Sequence, residues 1–358
     1  MPSRSPKPPE WAAPAASAPS VSMADLAREL GVSMTTISRA LSDHHSIGPA
    51  MKEKVRQLAH RYNYQPNRLA SALRKGQTRL LGIVVPYIEG HFFPSVVHGI
   101  ETAASLAGYS VIICQSNEDV AQERRTLDTL LSAQVAGVLV SVSRTTHDFR
   151  HFDKLRARGL PLVFFDRIPT GDQVNAVVLD DEQGGYLATR HLLAQGCRRV
   201  AHLAGPQHLN IYQHRRHGYL QALAEAGLPA DDTLVRYSDL TQEPAAAAVR
   251  ELLARPDPPD AVFAASDFAA LGALQEARRQ GLRVPHDLAL AGFSNEAFTV
   301  VTEPNLTSVD QCCEEMGQAA LHLLLELIAA QGQPFAPRQV VLHPQLLVRG
   351  SSLQVAPV

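Results

Sequence analysis

Two hydrophobic rhythms divide the chain. From Val21 to Tyr62 apolar residues recur every three or four positions, the spacing of short amphipathic helices. Beyond Arg79 they gather into compact runs that alternate with longer amphipathic stretches, as buried parallel strands and crossover helices do. In the first part, Ser22 stands three residues before Asp25, the arrangement of a capping box, and Leu26, Ala27 and Leu30 then share a face until Gly31 ends the helix. Ser33 starts a second helix in which Ile37 and Leu41 face inward, leaving Met34, Thr35, Ser38 and Arg39 outside. Two short helices around a Gly-Val-Ser turn predict a helix-turn-helix. A third helix is expected from Pro49, a favoured first helical position, with Met51, Val55, Leu58, Ala59 and Tyr62 along one side. Leu26, Leu30, Val32, Ile37, Leu41, Val55 and Leu58 form the expected common core.

The second part supplies apolar runs at 80–85, 111–113, 137–140, 162–165, 177–179, 200–203, 261–264 and 288–291, with intervening helices stopped at Gly108, Gly159, Gly196, Gly227 and Gly281. That is more than one open sheet comfortably holds. The expected fold is therefore an α-helical headpiece followed by an α/β core of two doubly wound parallel sheets, two lobes with a crevice between them. Residues 1–20, rich in Pro, Ala and Ser, read as a disordered tail. The basic segment from Tyr64 to Gly76 is helix-compatible but too short to stand alone, so it is expected to fold only against a partner.

Charge sharpens this picture. The formal net charge is −2, yet residues 1–78 hold 11 Lys and Arg against 5 Asp and Glu, which leaves 22 against 30 for the rest. The amino-terminal part can sit on a polyanion and the remainder cannot. A length of 358 residues predicts two or three domains. No long apolar segment or secretory core occurs, so a cytoplasmic location without membrane contact is expected. Cys114, Cys197, Cys312 and Cys313 show no metal or disulfide spacing and read as reduced thiols. Fifteen histidines lack ligand spacing, although His214 and His217 lie three apart, and no hydrolase, P-loop or dinucleotide motif is found, so neither metal nor cofactor is expected.

Specific motifs go further. Val21-Ser22-Met23-Ala24-Asp25-Leu26-Ala27, Gly31-Val32-Ser33, Thr36-Ile37-Ser38-Arg39-Ala40-Leu41 and Tyr64-Gln65-Pro66-Asn67 resemble the headpiece of the LacI/GalR family of bacterial transcriptional regulators. The likeness continues through Ile83-Val84-Val85-Pro86, Phe165-Asp166-Arg167, Arg215-Arg216-His217-Gly218-Tyr219, Ser266-Asp267 with Ala270-Leu271-Gly272, and Leu306-Thr307-Ser308-Val309-Asp310-Gln311. It implies a core like that of periplasmic binding proteins and a second headpiece helix in the major groove of DNA.

Ser33, Met34, Thr35, Thr36, Ser38 and Arg39 are the expected DNA contacts there. A hinge helix, with Asn67, Leu73 and Arg74, is implied to fold on the operator, Leu73 wedging into the minor groove. Residues beyond strand ends or near them are candidates for a small effector: Phe92, Phe93, Asp166, Arg215, Ser266, Asp267, Ser294, Asn295 and Gln311. Arg215 is expected in the first turn of its helix, and Asp267 has a rival role as a helix cap. Ser294-Asn295 replaces the aspartate many relatives carry, which weakens a grip on vicinal hydroxyls; a sugar leads, with a sugar acid or sugar phosphate open through Arg215 and Arg216.

The expected organisation is a tail at 1–20, headpiece at 21–66, hinge at 67–78 and core at 79–352. Within the core, one lobe takes about 79–180 and 310–337, the other about 181–309 and 338–352. The expected function is a homodimeric repressor that binds a palindromic operator on double-stranded DNA under effector control, without a tetramerising helix after Gly350. Its dimer contacts are expected mainly in the amino-proximal lobe. A solute-binding transport protein would leave residues 22–75 without purpose, and a sugar-processing enzyme would need an acid/base pair that is not found.

Overall fold

Ser22 starts the first element as a cap. Its Oγ accepts the Asp25 N–H at 3.3 Å while the Asp25 carboxylate accepts the Ser22 N–H at 3.0 Å, closing a reciprocal box before α1 (Met23–Leu30). Gly31, at φ 64°, ends α1 in the left-handed region, and the Ser33 Oγ accepts the Thr36 N–H at 3.1 Å to open α2 (Met34–Leu41). Pro49 is the first residue of α3 (Pro49–Arg61). Leu26, Ile37, Ala40 and Val55 have essentially no exposure, and Leu30, Val32, Leu41 and Met51 pack around them.

The computed structural model describes residues 21–64, 78–169, 171, 174–330, 333 and 336–353, and the chain separates into units of residues 1–78 and 79–358. The expected tail at 1–20 and the hinge residues Asn67, Leu73 and Arg74 lie outside the described residues.

In the second unit, the first sheet is built from β1 (Leu80–Val85), β2 (Ser110–Gln115), β3 (Gly137–Val140), β4 (Leu162–Phe165), β5 (Ala176–Leu179) and β11 (Gln339–Leu342). Its order is β11-β5-β4-β3-β1-β2, all parallel. Helices α4 (Phe92–Leu106), α5 (Val120–Ser132), α6 (Asp153–Ala157) and α11 (Cys313–Ala329) belong to it.

The second sheet holds β6 (Val200–Ala204), β7 (Val235–Tyr237), β8 (Ala261–Ala264), β9 (Ala289–Phe293), β10 (Thr307–Asp310) and β12 (Gln345–Leu347) in the order β12-β10-β9-β8-β6-β7. It is parallel except for β12, which runs antiparallel to β10. Its helices are α7 (Asp181–Ala194), α8 (Asn210–Glu225), α9 (Gln242–Leu253) and α10 (Asp267–Arg279). The central strands are buried almost throughout, as their continuous apolar runs require. Edge strand β2 is half exposed.

The chain crosses between lobes three times, after β5, after β10 and after β11. Residues 338–352 therefore do not belong wholly to the second lobe. Gln339–Leu342 pair with Ala176–Leu179 in the first sheet, and only β12 returns to the second. Strand β11 lies at the sheet edge with Gln339 and Val341 exposed, although its Val340-Val341-Leu342 is as apolar as the Val177-Val178-Leu179 it pairs with. Helices α7 and α8 meet closely because Gly185 and Gly218 lack side chains: a Cβ on Gly218 would run into the Glu182 carbonyl oxygen, one on Gly185 into that of Arg215.

Candidate functional site

On α2 the fold divides the residues as an amphipathic helix should. Ile37 and Ala40 are fully buried, while Met34 is 53% exposed, with Thr35 and Arg39 also exposed and Thr36 and Ser38 half-buried. Ser33 is exposed too, although its hydroxyl caps the helix. A thioether, three hydroxyl-bearing side chains and a guanidinium are thus held on one short rigid element, a set suited to base edges and phosphates.

The second candidate site lies where the carboxyl ends of the two sheets face each other. Asp166 directly follows β4 in the left-handed region, at φ 60°, and accepts the Ser141 Oγ–H at 3.2 Å. Burial pushes its carboxyl up to about 6, against the neighbouring Arg167. Arg167 in turn holds both oxygens of Glu118 at 2.9 Å through Nη1. Its buried Nε has no hydrogen-bond partner among the described residues, and its guanidinium carbon lies 5.9 Å from the Phe93 ring. Phe92 and Phe93 open α4 edge to face at 4.9 Å, and Tyr87 meets Phe93 at 5.0 Å, so an aromatic wall adjoins the charged pair.

Across the crevice, Arg215 is 3% exposed and occupies the second turn of α8, not the first. It donates to Asp181 at 2.7 Å, the Ala265 carbonyl at 2.9 Å and Gln311 Oε1 at 3.0 Å, with its guanidinium carbon 3.6 Å from the centre of the Phe293 ring. Gln311 passes a bond on to Ser294 Oγ at 2.9 Å. Burial raises the Asp181 carboxyl to about 6, opposed by Arg215.

Ser266, not Asp267, is the N-cap of α10. Asp267 is fully buried and accepts the Ser308 hydroxyl and the Glu296 N–H, each at 2.8 Å, so it anchors the loop after β9. Burial raises its carboxyl to about 7. Asn295 is fixed from three sides: its N–H donates to Ser308, its Nδ2 to Asp310 at 2.6 Å, and its Oδ1 accepts from Arg349 at 2.7 Å.

Three bridges join the lobes here. Asn210 Nδ2 donates to the Asp166 carbonyl while its Oδ1 accepts the Ile168 N–H, both at 3.0 Å; His208 Nε2 meets the Arg144 carbonyl at 2.7 Å; and the His91 N–H donates to Glu296 at 2.8 Å. The structure thus gathers Phe92, Phe93 and Asp166 on one wall and links Arg215, Gln311 and Ser294 on the other. Sequence reasoning missed Arg167, Glu118, Asp181, Glu296 and Arg349. For Arg167 a signal was present, since it follows Asp166 at the end of a continuous apolar strand. Arg216 pairs outward with Asp232 at 3.3 Å. Among the described residues, no three His, Cys, Asp or Glu side chains converge to hold a metal ion, and no helix is long and apolar enough to cross a membrane.

A helix-turn-helix with an open polar second helix, followed by two parallel-sheet lobes around a polar crevice, defines a DNA-binding regulator with a ligand-binding type of core. The chain belongs to the lacI family. The family model described as bacterial regulatory proteins, lacI family, matches residues 22–67, and one described as a periplasmic binding protein-like domain matches 189–352. The HTH-type transcriptional repressor CytR of Escherichia coli (strain K12) is 33% identical over 331 residues, 92% of this chain and 96% of that protein. Among solved structures, a complex of the transcriptional regulator CelR with cellobiose matches with TM-score 0.71 and 34% identity, over 92% of this chain and 99% of that one. The lac repressor dimer bound to operator and the anti-inducer ONPF matches with TM-score 0.82 and 25% identity, over 93% and 99%. This chain is a DNA-binding transcriptional regulator.

Proposed function

We propose that the protein is a cytoplasmic, non-enzymatic repressor that binds a palindromic operator as a homodimer and is controlled by an uncharged sugar held between its lobes. The observation that carries the effector assignment is the crevice itself: Asp166 and Arg167 beside the Tyr87–Phe93 wall, opposite the Arg215–Gln311–Ser294 chain. Such directional polar groups beside an aromatic face suit a ligand with both hydroxyls and an apolar ring face. Arg215 uses three of its N–H groups internally, leaving two for a hydroxyl or ring oxygen. With Arg215 paired to Asp181 and Arg216 to Asp232, neither cation favours an acid or a phosphate. Ser266, Asn295 and Asp267 act in this reading by shaping the second wall, with Asp267 a positioning residue.

Met34, Thr35, Thr36, Ser38 and Arg39 read the major groove, with Ser33 fixing the helix start. The hinge, with Asn67, Leu73 and Arg74, orders on the minor groove. Half-exposed β2 and the outward Leu106 and Ile113 support a subunit contact through the first lobe; Val300 and Val301 offer a second apolar patch on the other. CelR was solved with cellobiose, which makes that disaccharide the first effector to try. The test is gel retardation of a palindromic promoter fragment from beside its own gene, with cellobiose and a panel of sugars. Retardation that one sugar alters is expected. Failure to retard any such fragment, or turnover of a bound sugar, would overturn the proposal.

A further inference from the structure

We infer that Glu296 is a latch that holds the two lobes together before any effector enters. Its carboxylate leaves the second lobe and accepts the His91 N–H at 2.8 Å, at the start of α4 in the first lobe. The approach is tight. Gly90, at φ 75°, has no Cβ, and one placed there would stand 3.2 Å from both carboxylate oxygens. The backbone of Glu296 is itself fixed, its N–H bonded to Asp267 and its carbonyl accepting from Thr299 N–H at 2.9 Å and Thr299 Oγ1 at 2.6 Å. Charge-assisted bonds to backbone N–H groups are the strong members of their class, and this one exists only while the lobes are together.

The two residues before it, Ser294 at φ 122° and Asn295 at φ 51°, are both held at positive φ although neither is glycine. That strained pair belongs to the effector wall, so a ligand touching Ser294 pulls on the peptide that carries the latch. The inference rests on the effector reading above for its consequence: a latched crevice lowers the conformational cost an effector meets on closing it.

Hydrogen–deuterium exchange on the full chain tests this without DNA or ligand. In Glu296→Ala, and in Glu296→Asp, whose shorter arm falls short, a peptide spanning residues 88–95 should exchange about tenfold faster than in the parent protein. Glu296→Gln, which keeps the acceptor, should stay within about threefold of the parent. Peptides from β1 and β8 should not change in any variant, and if the alanine protein does not fold, the aspartate protein carries the comparison. Unaltered exchange at 88–95 in the shortened variants overturns the latch, as does a glutamine variant as fast as alanine. Loss of operator retardation would remove the regulator reading and leave this exchange pattern standing.

Discussion

His202 gives the structure a defined weakness toward acid. It sits fully buried in β6, stacked 5.0 Å from the Tyr219 ring and 4.8 Å from Phe263; one nitrogen bonds the Phe263 carbonyl at 3.0 Å, and Nε2 has no partner among the described residues. Burial pulls its pKa down to about 4 from an ordinary 6.5, with the Phe263 bond acting the other way. The folded protein thus keeps the ring neutral, while the unfolded chain takes up a proton below pH 6.5. Stability from this group is whole above that value and falls as pH drops, to a total loss of about 3 kcal/mol once pH is below about 4. Near pH 5 about 2 kcal/mol of it is gone.

Asp166, Asp181 and Asp267 titrate the other way, since their raised pKa values favour the fold as pH falls. A difference measurement removes them. Denaturant unfolding of the parent and of His202→Phe at about pH 7.5 and about pH 5 should show the parent losing about 2 kcal/mol relative to the variant at the lower pH. Parallel pH dependence of the two proteins would refute the reasoning, because it would mean the ring is not held neutral by its surroundings.

Other outcomes follow from the packing and from the exposed face of α2. Arg39→Ala should weaken operator binding about tenfold to a hundredfold in gel retardation while leaving the circular dichroism spectrum unchanged, since Arg39 is exposed on α2 and supports nothing beneath it. Gly218→Ala should cost on the order of 3 kcal/mol in thermal unfolding, as the new methyl is driven into the Glu182 carbonyl across the α7–α8 contact. Arg215→Ala leaves Asp181 buried without its counter-charge and should cost about 3–5 kcal/mol, a loss that Arg215→Ala combined with Asp181→Asn should partly restore.

What the sequence disclosed and what it withheld divide along range. The caps at Ser22 and Ser33, the stop at Gly31, the start at Pro49 and the apolar strands are local signals, and each stands where the pattern placed it, although the strand through Val111-Ile112-Ile113 lies at the sheet edge and is half exposed, not buried on both faces. The Arg167–Glu118 pair joins residues far apart in sequence, as does the Arg349 bond to Asn295, and neither leaves a periodicity to read. Such pairs are set by which strand ends the topology brings together. Asp267 shows the limit within a single motif: its position after β8 suggested a ligand contact or a helix cap, yet Ser266 took the cap and the aspartate turned inward to Ser308 and Glu296. Strand β11 was hidden for a different reason. Its Val340-Val341-Leu342 repeats the Val177-Val178-Leu179 triplet of β5, but nothing local says which sheet a strand so late in the chain joins, so its place in the first sheet became visible only in three dimensions.

Because the chain passes between lobes three times and its last crossing joins β11 to β12, each sheet receives its sixth strand from residues 339–347. On the ribosome, neither half can be finished ahead of the other, however early its first strands emerge. A messenger interrupted before that point would release a polypeptide with β5 and β10 lacking their outer partners, raw edges open to proteases and to other nascent chains. Completion of both sheets of this regulator is thereby tied to the synthesis of residues 339–347.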